Sequence, residues 1–235
     1  MTEVVGRVHR LKPTSKASLI PSGFPLEWSE TQGVVRACLR SFPAASSACC
    51  MDKQTVINAL ALLGRKAEAR GIAPEIAIYG GTVMMLAYRL REGTQDVDAV
   101  FRPRENLQPL IAEVAAELNL APDWLNDNVS QFAPNAGPAT NIAFEELVGL
   151  PGLRVSRPSA RKMLAMKARA ARLPRPGHGG DLHDLAFLIK HTGTKSIVQI
   201  EEIFAQFYGD SLDDRQRLVA ERALEIAYEP RHPTP

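Results

Sequence analysis

The stretch from Ile76 to Phe101, IAIYGGTVMMLAYRLREGTQDVDAVF, limits the folds open to this chain more than any other. Ile76, Ala77, Ile78 and Tyr79 are compact and β-prone and predict a short strand, which Gly80-Gly81 ends with residues that tolerate unusual backbone angles. Thr82 is placed to cap a helix over Val83–Leu90. A polar loop, Glu92–Gln95, then leads into a second strand, Asp96–Phe101. Side chains alternate along a strand, so Asp96 and Asp98 are expected to leave the same face side by side.

Two carboxylates on one strand face repel unless a cation lies between them. Hard oxygen donors at that spacing suit Mg²⁺, which takes one or two protein carboxylates and completes its shell with water and substrate phosphates. The Gly80-Gly81-Thr82 turn bares backbone N–H groups at a predicted helix N-terminus, a seat for phosphate that no side chain blocks. A phosphate seat followed by a metal clamp suits phosphoryl or nucleotidyl transfer, which depends on positioning and charge neutralisation.

Gly80-Gly81-Thr82 with Asp96-X-Asp98 resembles the signature of the polymerase-β-like nucleotidyltransferases. With Tyr88, Arg91 and Thr94 ahead of the acids, the stretch resembles the AbiEii-type branch (AbiEii/AbiGii), whose members serve as toxins in toxin–antitoxin and phage-defence systems. The resemblance continues into Trp124-Leu125-Asn126-Asp127, Leu164-Ala165-Met166-Lys167 and Asp181-Leu182-His183-Asp184-Leu185, covering residues 51–225. It implies an Mg²⁺-dependent transfer of NMP from an NTP to an RNA (a tRNA 3′ end) or a protein hydroxyl, with a cognate antitoxin as a further partner. Arg91 and Thr94 join the phosphate-binding set by the same resemblance. A third carboxylate often completes such sites from a neighbouring strand. The strand predicted to match, over Gly152–Ser156, offers none, and Glu145 and Glu146 are weak substitutes.

Composition adds limits. The balance of 28 Lys+Arg against 26 Asp+Glu gives a net +2, which neither favours nor excludes nucleic acid. No apolar run is long enough to span a membrane, and the N-terminal basic residues precede no apolar signal segment. Cys38, Cys49 and Cys50 are odd in number and lack metal-type spacing, which points to a reducing cytoplasm.

Pro13, Pro21, Pro25 and Pro43 interrupt every periodic run in residues 1–50, which therefore read as a poorly ordered extension. A nucleotidyltransferase core over 51–158, a helical part over 159–228 completing the site, and a frayed tail over 229–235 are expected to follow. Helices are predicted over Asp52–Arg70, capped by Asp52, and over Glu105–Leu118. Arg102 and Arg104 read as a solvated turn, with contact to a triphosphate as the sharper alternative. Trp124 reads as a loop anchor, with stacking on a base as its alternative.

In the helix predicted over Ser159–Leu173, Arg161, Lys162, Arg169 and Arg172 form a basic stripe, while Lys167 falls among Met163, Leu164, Ala170 and Ala171. A lysine on an apolar face either snorkels or meets an anion. The resemblance makes it an active-site residue, here expected to contact nucleotide phosphate. Asp181 fits the cap of the helix Leu182–Lys190 and Asp184 its third position. The resemblance makes one of the two functional, and Asp184 is taken as the one that positions or activates the acceptor.

The fold expected is thus mixed α/β (α+β), a small sheet flanked by helices with a helical C-terminal part. Asp96 and Asp98 are the metal ligands. Asp96, Asp98, Lys167 and Asp184 form the catalytic set, and Gly80, Gly81, Thr82, Arg91 and Thr94 the nucleotide-binding set. A nucleotide-binding module without catalysis is the alternative. A purely structural role for the motifs would place Asp96 and Asp98 far from Lys167.

Overall fold

A computed structural model describes residues 50–134, 141–172 and 181–229. The expectations for 1–49, for the segments 135–140 and 173–180 and for the tail beyond Glu229 lie outside the described residues. The described residues all fall within one compact unit. It is a mixed α/β fold, with seven α-helices and seven strands among the described residues.

Strand β1 (Met51–Asp52) leads into helix α1 (Lys53–Ala69), whose first turn is closed by the Asp52 carboxylate accepting from the Thr55 N–H at 2.8 Å. Val56, Leu60 and Leu63 face the core from α1. Next come β2 (Glu75–Ile78), α2 (Gly80–Leu86), β3 (Gly93–Thr94), β4 (Val97–Arg102) and α3 (Arg104–Leu118). Strands β5 (Leu125–Asn126), β6 (Asn141–Ala143) and β7 (Arg154–Pro158) complete the main sheet, in the order β5-β4-β2-β7-β6. β4 runs antiparallel to β2 and parallel to β5, while β7 runs parallel to β2.

The sheet separates two apolar clusters. Ile76, Ile78, Val97, Ala99 and Phe101 alternate onto one face and join α1 and α3 in the main core. The opposite face carries Ala77, Tyr79, Asp98 and Val100. Tyr79, Val129 and Met166 form a separate small cluster with Ala77 and Val100 packed against it. The site lies on this second face.

Helices α4 (Ala160–Ala170), α5 (Leu182–His191), α6 (Ile197–Tyr208) and α7 (Asp214–Tyr228) form the C-terminal half. α4 packs on α6 and α5, and α5 on α7. Both halves share the main core, which includes Leu60 and Val97 as well as Leu164, Leu185 and Phe204. No helix among the described residues is long and apolar enough to cross a membrane.

Several local expectations change. Thr82 lies inside α2 and is fully buried, because the helix already starts at Gly80, with Tyr79 at the cap position and no side-chain cap. α2 stops at Leu86 instead of Leu90, and Arg89 adopts a left-handed φ of +54°. β4 opens at Val97, one residue after Asp96. β7 lies two residues later than expected, and α4 ends at Ala170. Trp124 is an anchor: it is fully buried and its indole N–H donates to the Ile111 carbonyl at 3.1 Å.

One close approach had no sequence signal. A Cβ on Gly64, in mid-helix, would lie 1.9 Å from the Pro151 carbonyl oxygen, and one on Gly152 would lie 2.4 Å from the Gly64 carbonyl oxygen. α1 and the turn before β7 therefore touch backbone to backbone. Gly64→Ala must push the turn off the helix despite the better helix propensity of alanine. It is expected to lower stability by about 1–3 kcal/mol, read as a fall in Tm.

Candidate active site

The Gly-Gly pair stands against the acidic strand. Gly80 has φ +60°, and a Cβ there would lie 2.4 Å from Asp98 Oδ2. A Cβ on Gly81 would lie 2.9 Å from Thr94 Oγ1. Both positions thus need a residue without a side chain, and at Gly80 the backbone angle requires it as well. The Tyr79 N–H donates to the Asp98 carbonyl at 2.8 Å, locking the end of β2 to the start of β4.

Thr82 and Thr94 have a task other than phosphate binding. Their hydroxyls donate to the same Asp96 carbonyl, at 3.2 Å and 2.9 Å. The two threonines therefore fix the backbone from which the Asp96 carboxylate projects, and neither lines the cavity at the site.

Asn126 contacts the acidic pair and was missed by sequence reasoning as a site residue. β5 runs beside β4 with Asn126 opposite Asp98. Its side-chain N–H donates to Asp96 Oδ2 at 2.9 Å, and its Oδ1 accepts from the Asn128 N–H at 3.0 Å. The strand flanking β4 on its free side is therefore β5, and it brings an amide to the place where a third acid was sought on β7. Glu145 and Glu146 are exposed and do not line the cavity. The only available signal was the Trp124-Leu125-Asn126-Asp127 stretch, whose pairing with β4 depends on tertiary structure. Arg104, the first residue of α3, pairs with Asp127 at 2.8 Å and does not line the cavity.

A chain of charges closes the site from the helical half. Lys167 on α4 reaches Asp184 Oδ2 at 2.7 Å and Asp181 Oδ1 at 3.0 Å. Arg91 holds both oxygens of Asp184, at 2.5 Å and 3.3 Å. The backbone N–H of Arg172 donates to Asp181 Oδ2 at 3.1 Å and its guanidinium at 3.3 Å. Burial pulls the Asp181 carboxyl upward, but Lys167 and Arg172 outweigh it and hold the group below the usual carboxylate range.

These contacts change the expected roles. Asp181 occupies the cap position of α5 but makes no side-chain cap bond; it lines the cavity. Asp184 is buried and does not line the cavity, since Arg91 and Lys167 use its oxygens. Arg91 likewise faces Asp184. Of the basic stripe, Lys162 donates to Asn141 at 3.0 Å and Arg169 lies 5.3 Å from the Tyr208 ring centroid, so only Arg172 lines the cavity.

The cavity measures about 390 Å³ and is lined at one end by Gly80, Asp96, Asp98, Lys167, Arg172 and Asp181. A structural-only role for the motifs required Asp96 and Asp98 to be remote from Lys167; all three line this one cavity. Burial first, and then the Asp96 charge, push the Asp98 carboxyl above its ordinary range, with Lys167 and Arg172 pulling partly back. Among the described residues no three His, Cys, Asp or Glu side chains form a metal group. The donor set still fits Mg²⁺: two hard carboxylates, Asp96 and Asp98, line one cavity, and the Asp98 carboxylate stands against the Gly80 backbone.

Two outcomes follow for stability. Asp184→Ala strips the partner from two cations near the core, and a loss of about 3 kcal/mol or more is expected in chemical denaturation. Asp98 acts in the opposite direction. Because its folded-state value is raised above 3.8, the folded protein holds this proton more tightly than the unfolded chain. Stability therefore falls as pH rises through that raised value. Asp98→Asn is expected to raise Tm by a few degrees at neutral pH in metal-free buffer, the gain fading once pH drops below the ordinary carboxylate range. Comparison with the known protein families, the curated proteins and the solved structures gives no match for this chain.

Proposed function

We propose that this chain is an Mg²⁺-dependent nucleotidyltransferase that moves NMP from an NTP to a hydroxyl of RNA, such as a tRNA 3′ end, or of a protein. The observation that carries the reading is the meeting of Asp96, Asp98, Gly80 and Lys167 on one cavity. The resemblance to AbiEii-type proteins adds the setting: a cytoplasmic toxin with a cognate antitoxin.

Asp96 and Asp98 would hold the cation, and when bound it supplies Lewis-acid polarisation of the phosphates. Asn126 fixes one oxygen of Asp96, a residue that lines the cavity. Gly80 carries no side chain, which lets the Asp98 carboxylate stand against its backbone at the cavity wall. Lys167, held in place by Asp181 and Asp184, offsets triphosphate charge at the cavity wall, with Arg172 beside it. The acceptor oxygen forms a bond to the α-phosphorus, the bond from that phosphorus to the β-phosphate oxygen breaks, and pyrophosphate leaves. The acceptor's proton is released to solvent as the new bond forms. Asp184 serves this scheme by positioning Lys167, without touching the acceptor.

A nucleotide-binding module without turnover is the second reading, favoured by the amide of Asn126 where a third carboxylate would add charge. The two separate in one experiment. The protein is incubated with each α-³²P-labelled NTP, Mg²⁺ and total tRNA or cell lysate, beside the Asp96→Ala/Asp98→Ala double variant. Label in RNA or protein is expected with the parent, falling at least ~100-fold in the variant. Nucleotide binding with no label transferred would select the binding module.

A further inference from the structure

The charged residues account for only part of the cavity lining. Tyr79, Val129, Phe132, Met163, Met166 and Ala170 add an apolar wall, and the polar Gln95 and Asn128 also line the space. Tyr79, Val129 and Met166 belong to the small cluster on the second sheet face, apart from the main core. Met163 belongs to the main core as well, so the residues particular to this wall are gathered at one place from the end of β2, from α4 and from the turn after β5.

The turn is held rigidly. Phe132 donates its N–H to the Val129 carbonyl at 2.9 Å, and Ala133 donates to the same oxygen at 3.0 Å. The Phe132 carbonyl accepts the Tyr208 hydroxyl at 2.5 Å, which ties the turn to the end of α6. An aromatic ring at a cavity wall, fixed by its backbone on both sides, is a preorganised stacking surface. Met166 faces the same space with a polarizable side chain that adapts to a flat aromatic partner.

Resting on the nucleotidyltransferase reading, we propose that this wall is the nucleobase site, in which the base of the NTP lies against Phe132, Val129 and Met166 while its phosphates reach Gly80 and Lys167. A ligand that is flat and aromatic at one end and polyanionic at the other matches the cavity's two halves. A purely apolar ligand would leave Lys167, Arg172 and Gly80 unused, and a free polyphosphate would leave the wall bare. Stacking is tolerant of base identity, and its usual contribution is about 1–3 kcal/mol per base.

The test is calorimetric titration of the full chain with Mg²⁺ and the non-transferable α,β-imido analogues of ATP, GTP, CTP and UTP, against inorganic tripolyphosphate. The nucleotides are expected to bind more tightly than tripolyphosphate. Phe132→Ala is expected to weaken them by roughly 5–150-fold while tripolyphosphate binding stays unchanged, and Phe132→Trp to keep the parent affinity. Met166→Ala, on a different element, supplies the second reading should Phe132→Ala lose tripolyphosphate as well. Equal binding of nucleotide and tripolyphosphate by the parent, or nucleotide affinity unaltered by both truncations, overturns the base site and leaves the phosphate end standing. Binding of neither overturns the base site together with the functional reading beneath it.

Discussion

The carboxylate of Asp184 joins the two halves of the chain. Its side chain is only 2% exposed, and it contacts Arg91 from the loop ahead of β3 and Lys167 from α4. Removing a carboxylate from water costs several kcal/mol, so the site can persist only while both cations stay in place to offset that cost. The consequence is geometric. The loop leading to the acidic strand and the helix carrying the lysine are fixed relative to one carboxylate, and therefore to each other. Asp181 then sets the outer edge by holding Lys167 and Arg172.

The sheet side gains its rigidity differently, through close backbone approach. Gly80 stands where any side chain would strike Asp98, and the hydroxyls of Thr82 and Thr94 converge on one carbonyl of Asp96. Asn126 completes the arrangement from β5 by holding a side-chain oxygen of Asp96. Asp96 is thus held at its backbone and at its carboxylate by neutral donors, which orient it without neutralising its charge. Repulsion between Asp96 and Asp98 is preserved, and that stored repulsion is the physical basis for cation affinity.

The elements governed by local rules were legible in the sequence. The Asp52 cap, the strand-glycine-helix-strand order around Gly80, the paired aspartates and the anomalous Lys167 follow from spacing and from the cost of a lysine on an apolar face. What was not legible depended on partners distant in sequence. Thr82 reads as a cap until the residue just before β4 is seen to supply the Asp96 carbonyl. Asn126 carries no signal until β5 is paired with β4. Asp181 and Asp184 depart from their expected roles because local spacing explains both as helix-end residues, whereas tertiary packing buries both and brings only Asp181 to the cavity. The Gly64 contact is hidden for the same reason: a mid-helix glycine looks like a weak helix former until the Pro151 turn is packed on it.

The charges show what the arrangement can accept. Asp96, Asp98, Asp181 and Asp184 face Lys167, Arg172 and Arg91, so four carboxylates meet three cationic side chains. The surplus negative charge falls on Asp96 and Asp98, and burial together with the Asp96 charge raises the Asp98 carboxyl above its ordinary range. A divalent cation at that pair would reverse the sign of the imbalance. The cavity would then attract polyphosphate toward Lys167 and Arg172. Entry of cation and polyphosphate together is favoured over either alone, because each removes the charge that opposes the other.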